Sequence, residues 1–133
     1  MDSVATVRRF YSHVSAGAWA EAEAMVDDDF VIYEPESLPY GGEWRGKDAF
    51  QRLFAFVMGY WRDPHIERNG LVGDDTHVVA LLTFSVTVKT TGERISMPIT
   101  EVTTMLPSGK IGAMRIHYFD THALRTSLSE PAK

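Results

Sequence analysis

Three long strand-like segments follow one another in residues 76–119, THVVALLTFSVTVKTTGERISMPITEVTTMLPSGKIGAMRIHYF. The segments, at 76–90, 93–106 and 110–119, alternate apolar with polar residues and are rich in β-branched side chains, which is typical of strands with one buried face. Thr91-Gly92 and Pro107-Ser108-Gly109 separate them and suit hairpin turns. The stretch therefore predicts an antiparallel meander.

Helical periodicity dominates the chain before this meander. Apolar residues at helical spacing predict short helices at 4–14 and 18–26, and a third helix from Phe50 to Trp61 with a continuous apolar stripe. Further strands are predicted at 30–34 and 65–72, with a Gly- and Pro-rich loop at 36–46. Helices first and long strands afterwards predict the α+β class, with helices packed on one face of a curved antiparallel sheet.

The length and composition of the chain exclude several classes of function. Its 133 residues predict one domain, taken as residues 1–126, and a flexible tail at 127–133. The absence of cysteine excludes disulfides and thiol chemistry, and no histidine or acid spacing predicts a metal site. A net charge of −5 with scattered basic residues argues against nucleic acid as a partner. Without a signal-like or membrane-spanning apolar run, we expect a cytoplasmic protein with no membrane association.

Two carboxylates interrupt apolar faces of the predicted meander. Residues two apart in a strand share a face, and Glu101 lies in an otherwise apolar row of its strand. Asp120 ends the apolar row of the last strand, which consists of Met114, Ile116 and Tyr118. A buried carboxylate requires a partner, a raised pKa or a place lining a cavity. The pattern therefore predicts a binding cavity beside these acids.

A third acid, Glu34, ends the first short strand and is followed by Pro35, whose rigid backbone fixes its position. Acids held beside apolar walls suit proton transfer. Structural roles stay open for all three. Glu34 can be a solvated strand end, Glu101 can form an ion pair with Arg94 or Arg115, and Asp120 can cap a final helical turn.

Four segments of the sequence carry a resemblance to a known family. They are Ser15-Ala16-Gly17-Ala18-Trp19, Tyr33-Glu34-Pro35, the run 39–46 leading into Phe50, and the ending 109–121. Together they resemble the nuclear transport factor 2-like superfamily and, within it, the SnoaL-like and ketosteroid-isomerase-like group. The resemblance implies a cone, in which a curved antiparallel sheet wraps around three N-terminal helices and encloses a deep apolar pocket.

The resemblance also implies catalytic roles for the three acids. In ketosteroid isomerases the base precedes a proline after the first short strand, where Glu34 stands. The second acid follows a Pro-Ile pair; after Pro98-Ile99 this is Thr100 or Glu101, and the apolar-face pattern favours Glu101. SnoaL-like cyclases place an acid at the end of the last strand, where Asp120 stands. The predicted catalytic residues are therefore Glu34, Glu101 and Asp120.

Aromatic and apolar side chains are expected to line the pocket. Phenylalanines stand where the isomerases carry their oxyanion-hole and supporting tyrosines, at Phe10, Phe30 and Phe54. The resemblance thus predicts that the phenolic network is lost. Tyr11 should point elsewhere on its helix, which leaves Tyr33 or Tyr118 to supply a hydroxyl if it faces the pocket. The predicted substrate-binding residues are Tyr118, Phe10, Phe30, Phe54, Trp61, Met114 and Ile116.

These features predict a cofactor-independent isomerase or cyclase that removes a proton next to a carbonyl of an apolar, steroid- or polyketide-like molecule. Glu34 is the expected base, and Glu101 or Tyr118 stabilises the enolate. Two alternatives stay open: an epoxide hydrolase using Glu101, Asp120 and His117, and a non-catalytic ligand-binding or dimerisation module of the same fold. The expected partners are an apolar small molecule and a second copy of the chain in a homodimer.

Overall fold

The structure is a computed structural model that describes residues 2–128. Its helices are α1 (Ser3–Ser15), α2 (Trp19–Glu23), α3 (Ala49–Val57) and α4 (Thr121–Ser127). Its strands are β1 (Val26–Glu34), β2 (Gly42–Arg45), β3 (Trp61–Gly73), β4 (His77–Val88), β5 (Arg94–Met105) and β6 (Ile111–Tyr118). The strands form a curved, unclosed sheet, and the predicted α+β class is confirmed. No helix in the described chain is long and apolar enough to cross a bilayer.

The strand order in the sheet is β2-β1-β6-β5-β4-β3. Strands β3 to β6 form the predicted antiparallel meander. Strand β1, however, pairs in parallel with β6, so the sheet is mixed rather than wholly antiparallel. Alternation within a strand indicates which side is buried but not which distant strand lies beside it. The parallel pairing matters because it places the end of β1 next to the last strand.

Several element boundaries differ from the predicted ones, among them the end of α2 at Glu23 and the start of β1 at Val26. Helix α3 ends at Val57, and Trp61 begins β3 opposite Val88 instead of extending the apolar stripe of the helix. The backbone turns between them, where the Tyr60 N–H donates to the Val57 carbonyl at 2.9 Å. The acidic run at 27–29 lies within β1 next to an irregularity in its register, and the predicted loop contains β2.

The C-terminal residues also extend the fold beyond the predicted boundary. Ser127 is the last residue of α4, and Leu128 is fully buried. Both residues therefore belong to the folded domain rather than to a tail. The remainder of the predicted tail, residues 129–133, lies outside the described residues.

The core lies between the helices and one face of the sheet. Alternate residues of β5 and β6 face it, as predicted from the period of two. On β5 these are Met97, Ile99, Glu101, Thr103 and Met105. The only acids among the buried polar residues of the described chain are Glu34 and Glu101. Of the three predicted acids, Glu34 and Glu101 thus lie inside the fold, and Asp120 does not.

The loop between β1 and β2 turns sharply at Gly41. The Leu38 N–H donates to the Pro35 carbonyl at 3.1 Å, and the Gly41 N–H donates to the Leu38 carbonyl at 2.9 Å. A β-carbon at Gly41 would collide with the Pro35 carbonyl oxygen and the Glu36 backbone. This close approach buries Tyr40, which is only 1% exposed.

We expect Gly41→Ala to lower the free energy of unfolding by about 1–3 kcal/mol, because backbone atoms meet the added methyl group and give way poorly. Gly70→Ala is the matched control, since its β-carbon would make only an ordinary contact with Leu81 at 3.7 Å. Urea unfolding of both variants measures the difference. A Gly41→Ala protein as stable as the control would contradict the tight turn.

Candidate functional site

Glu34 lies at the end of β1 on the buried face of the sheet. Register pairs Tyr33 with Arg115 on β6, so Glu34, one residue further, lies beside Ile116. The Tyr118 hydroxyl, also from β6, donates to Glu34 Oε1 at 3.0 Å and lies 3.3 Å from Oε2. The parallel β1–β6 pairing therefore brings a predicted base and a predicted pocket tyrosine into direct contact.

Tyr40 extends this contact into a chain of hydroxyls. Its hydroxyl donates to the Tyr118 oxygen at 3.0 Å, so the donors run from Tyr40 to Tyr118 to Glu34. Aromatic rings pack around the chain: Trp61 lies 5.4 Å from Tyr40 and 5.0 Å from Phe84, measured between ring centroids. Edge-to-face packing of this kind fixes the phenol rings in place.

Glu101 supplies a second acid on the same face. It pairs with Ile116 on β6, so the two glutamates flank Ile116 from opposite sides, with Cα atoms about 10 Å apart at the usual strand spacing. The Tyr11 hydroxyl, from α1, donates to Glu101 Oε1 at 2.6 Å. Each buried glutamate thus accepts a hydrogen bond from its own tyrosine.

No basic side chain in residues 2–128 forms an ion pair or hydrogen bond with either glutamate. Burial raises the pKa of Glu34 well above its usual value; the hydrogen bond from Tyr118 opposes this, and the charge of Glu101 adds to it. Burial likewise raises the pKa of Glu101, against the hydrogen bond from Tyr11. Both acids are therefore biased toward the protonated form.

Burial also raises the pKa of all three tyrosines, and the neighbouring glutamates add to the effect. Their hydroxyls consequently keep their protons at neutral pH and act as donors. The Thr103 hydroxyl lies close enough to Tyr11 to oppose its pKa rise, yet it has no hydrogen-bond partner in the described chain. The Trp61 indole N–H is likewise buried without a partner there. The site therefore contains two buried donors, the Thr103 hydroxyl and the Trp61 N–H, that have no acceptor among the described residues.

Of Thr100 and Glu101, Glu101 is the residue that faces the core, where it is 7% exposed. The alternative ion pair of Glu101 is wrong. Arg94 binds the Asp63 carbonyl and the Thr87 hydroxyl instead, and Arg115 stacks on a tyrosine ring. Both arginines alternate with the buried residues of their strands and so lie on the opposite face.

Asp120, unlike the two glutamates, is not buried. It is exposed, and its carboxylate accepts a hydrogen bond from the Ala123 N–H at 3.0 Å, which caps α4. The capping role left open by the sequence is confirmed. His117 is exposed on the outer face, so Glu101, Asp120 and His117 do not form the constellation that an epoxide hydrolase would need.

A different phenolic network, formed by Tyr11, Tyr40 and Tyr118, replaces the one whose positions carry phenylalanine, and the expectation that Tyr11 points elsewhere is wrong. Tyr11 turns toward the sheet, although it flanks the buried stripe of α1 formed by Val7 and Phe10, because its long side chain reaches Glu101. Tyr40 was not predicted at all, since it lies in a loop without periodicity. Tyr33 points to the outer face, where the Arg115 guanidinium lies 4.2 Å from its ring centroid.

The predicted pocket residues divide into two groups. All but Phe54 are buried or, for Tyr118, half-buried: they are Phe10, Phe30, Trp61, Met114, Ile116 and Tyr118. Phe54 is 44% exposed and its ring packs on Trp19 at 6.0 Å. The buried face of α3 runs through Ala49, Leu53 and Val57, which leaves Phe54 one position off it and outside the acid cluster.

A cleft of about 620 Å³ opens between the end of α1 and strands β3 and β4. It is lined by Tyr11, Ser12, Ser15, Ala16, Ile66, Arg68 and Leu82. Tyr11 connects it to Glu101, and Leu82 begins a cross-strand row through Ile99 to Tyr118. The cleft thus reaches the tyrosine that is hydrogen-bonded to Glu101, while Glu34 and Tyr118 lie behind buried side chains of the same sheet face. No cluster of metal-ligating side chains occurs within the described residues.

Solved structures with the same fold cover nearly the whole chain. A nuclear transport factor 2-like protein of unknown function from Burkholderia pseudomallei is 19% identical, with a TM-score of 0.83 and coverage of 98% of this chain and 100% of that one. A Mesorhizobium loti protein described as a SnoaL-like polyketide cyclase is 25% identical, with a TM-score of 0.67 and coverage of 89% and 100%. SalBIII, an epoxide hydrolase/cyclase-like enzyme, is 19% identical, with a TM-score of 0.66 and coverage of 90% and 92%.

Sequence comparison identifies the family. No curated protein matches the chain significantly. Residues 7–114, however, match the SnoaL-like domain family, and this span contains Tyr11, Glu34, Tyr40 and Glu101. The match includes every strand of the sheet except the second half of β6. The chain therefore belongs to the SnoaL-like domain family.

Proposed function

We propose that the protein is a cofactor-independent isomerase or cyclase that transfers a proton next to a carbonyl group of an apolar small molecule. One observation carries the proposal: two buried glutamates on one sheet face, each hydrogen-bonded to a tyrosine and neither paired with a cation in the described chain. A purely structural core gains little from two such acids, because apolar residues of similar volume serve stability as well or better. The apolar ligand and a second copy of the chain are the proposed partners.

In the proposed mechanism Glu34 is the base. Its carboxylate takes a proton from the carbon next to the carbonyl, the C–H electrons form the enolate double bond, and the carbonyl π electrons move to oxygen. Tyr118 holds Glu34 in position through the 3.0 Å hydrogen bond. The raised pKa of Glu34 makes its ionised form a stronger base than an exposed carboxylate, which favours abstraction of the proton.

Glu101 is the proposed donor to the enolate oxygen. Tyr11 occupies its Oε1 atom, and Oε2 has no hydrogen bond in the described chain, so a protonated Glu101 has an O–H left to donate. A neutral carboxylic acid in an apolar site is an established way to stabilise an enolate, and the ketosteroid isomerases are the known example. Return of the proton to another carbon gives isomerisation, and attack of the enolate on a second carbonyl gives cyclisation.

The fold neighbours support this class of chemistry. One is described as a polyketide cyclase, and another is an epoxide hydrolase/cyclase-like enzyme in pyran ring formation. For the present chain, Asp120 and His117 lie outside the buried acid cluster, which favours carbonyl chemistry over epoxide opening.

Hydrogen–deuterium exchange of simple ketones tests the proposal without knowledge of the natural substrate. We expect the protein to accelerate exchange of the α-protons of 2-tetralone and 1-indanone in D₂O, followed by proton NMR. Positioned acids and bases contribute about 10²- to 10⁴-fold to such transfers. Glu36→Gln, which changes an exposed acid two residues from the site, is the control and should match the wild type. Exchange no faster than in buffer for every ketone would overturn the proposed function.

A further inference from the structure

Among the described residues that line the cleft, Arg68 is the only charged one, and it takes no part in the proposed proton transfer. Arg68 pairs with Leu82, Leu82 with Ile99, and Ile99 with Tyr118. Directly paired residues share a face of the sheet, so Arg68 lies on the same face as the hydrogen-bonded tyrosine. An arginine thus ends the cross-strand row that leads to Glu34.

No carboxylate of residues 2–128 forms an ion pair with the Arg68 guanidinium. Within residues 2–128 it forms no ion pair and no hydrogen bond, whereas Arg45, Arg52 and Arg62 each lie within 4.0 Å of a carboxylate. The protein carries a net charge of −5, so acids are in surplus. A free guanidinium on the wall of a cleft is therefore available to a ligand.

The surroundings of Arg68 divide the cleft into a polar and an apolar part. Ile66 and Leu82 supply apolar walls on β3 and β4, and Ser15 supplies a hydroxyl from α1. Because the end of α1 carries partial negative charge, the helix itself does not attract an anion, and Arg68 is the group that does. A guanidinium binds a carboxylate through two parallel hydrogen bonds, which fixes its orientation.

We propose that the cleft binds an organic acid, with its carboxylate on Arg68, its apolar body against Ile66 and Leu82, and its far end at Tyr11. The identity of the reacting end rests on the proposed function, whereas the anion site at Arg68 does not depend on it. Three strand spacings separate Arg68 from Tyr118, or roughly 14 Å between Cα atoms. The cleft volume of about 620 Å³ suits a molecule of two or three rings. The substrate class is thus an apolar keto acid held at both ends.

Binding of two unreactive probes tests the anion site. The probes are 2-naphthoate and its uncharged counterpart 2-naphthamide, titrated calorimetrically against the wild type, Arg68→Gln and the control Arg62→Gln. Arg62 is an exposed arginine on the same strand that does not line the cleft. We expect the wild type and the control to prefer naphthoate by about 10- to 100-fold, as for a charge-assisted hydrogen bond, and Arg68→Gln to lose that preference.

Several results would overturn the anion site: equal affinity of the wild type for both probes, no binding of either, or an unchanged preference in Arg68→Gln. Because neither probe reacts, the measurement is independent of ketone exchange. Charge-selective binding that depends on Arg68 together with no exchange would support the anion site while overturning the proposed function. Exchange without charge-selective binding would support the proposed function while overturning the anion site.

Discussion

Glu34→Gln is expected to slow ketone α-proton exchange by about 10²- to 10⁴-fold, the contribution of a positioned general base. The amide has no lone pair basic enough to accept the proton. It retains an oxygen at Oε1, however, so it can still accept the hydrogen bond from Tyr118. Tyr118 can then still accept the hydrogen bond from Tyr40. The variant should therefore remain folded, as near-UV circular dichroism can verify, and the loss should fall on the chemical step.

Glu101→Gln separates the two acidic roles. Its amide oxygen can accept the hydrogen bond from Tyr11, and its amide N–H can donate to the enolate oxygen in place of the carboxylic acid. Because a donor is retained, we expect a loss well below the 10²- to 10³-fold that accompanies complete removal of an oxyanion donor. A larger loss in Glu101→Gln than in Glu34→Gln would assign the base to Glu101 instead. An unchanged rate in Glu34→Gln would contradict its role altogether.

A local pattern together with the family resemblance selects both glutamates that the structure buries. Glu101 interrupts an apolar row of period two, and the structure places that row on the core side of β5. Glu34 was predicted through Pro35 and the family resemblance, and it lies at the buried end of β1. In both cases the position within one strand decides which way the side chain points.

The tyrosine partners were not predictable in the same way, because each depends on contacts between segments distant in sequence. Tyr40 reaches Tyr118 across 78 positions, and its loop turns inward only because Gly41 permits a close backbone approach. Tyr11 reaches Glu101 across 90 positions, and the packing of α1 on the sheet decides its direction. The parallel pairing of β1 with β6 is equally invisible to local alternation.

The stability of the protein should fall as pH rises, and the two glutamates should be the cause. Burial raises the pKa of both in the folded state, whereas the unfolded chain titrates near the usual value of 4.5. Above that value the unfolded chain releases protons that the folded protein retains, so rising pH favours unfolding. The stabilisation is complete below the unfolded pKa and is lost as pH rises through the folded one.

The slope is about 1.4 kcal/mol per pH unit for each glutamate, within the range between its unfolded and folded pKa values. Urea unfolding of the wild type, Glu34→Gln and Glu101→Gln at successive pH values from 5 to 8 measures it. Each variant should show a shallower decline than the wild type, since one titrating group is removed. Groups that titrate identically in the wild type and the variant cancel in the difference between the two profiles.

Asp74 sets the lower limit of the pH range that is useful for this measurement. Hydrogen bonds from the backbone N–H groups of His77 and Thr76 lower its pKa to about 2, so its stabilising effect is lost as pH falls below the usual value of 3.8. The titration of Asp74 thus makes stability rise with pH, opposite to the glutamates. It does so only below pH 4, outside the range in which the glutamates are measured.

Parallel stability profiles of wild type and both glutamine variants above pH 5 would mean that the glutamates are not held protonated by the fold. Diverging profiles would establish the perturbed acids on which a proton-transferring site depends.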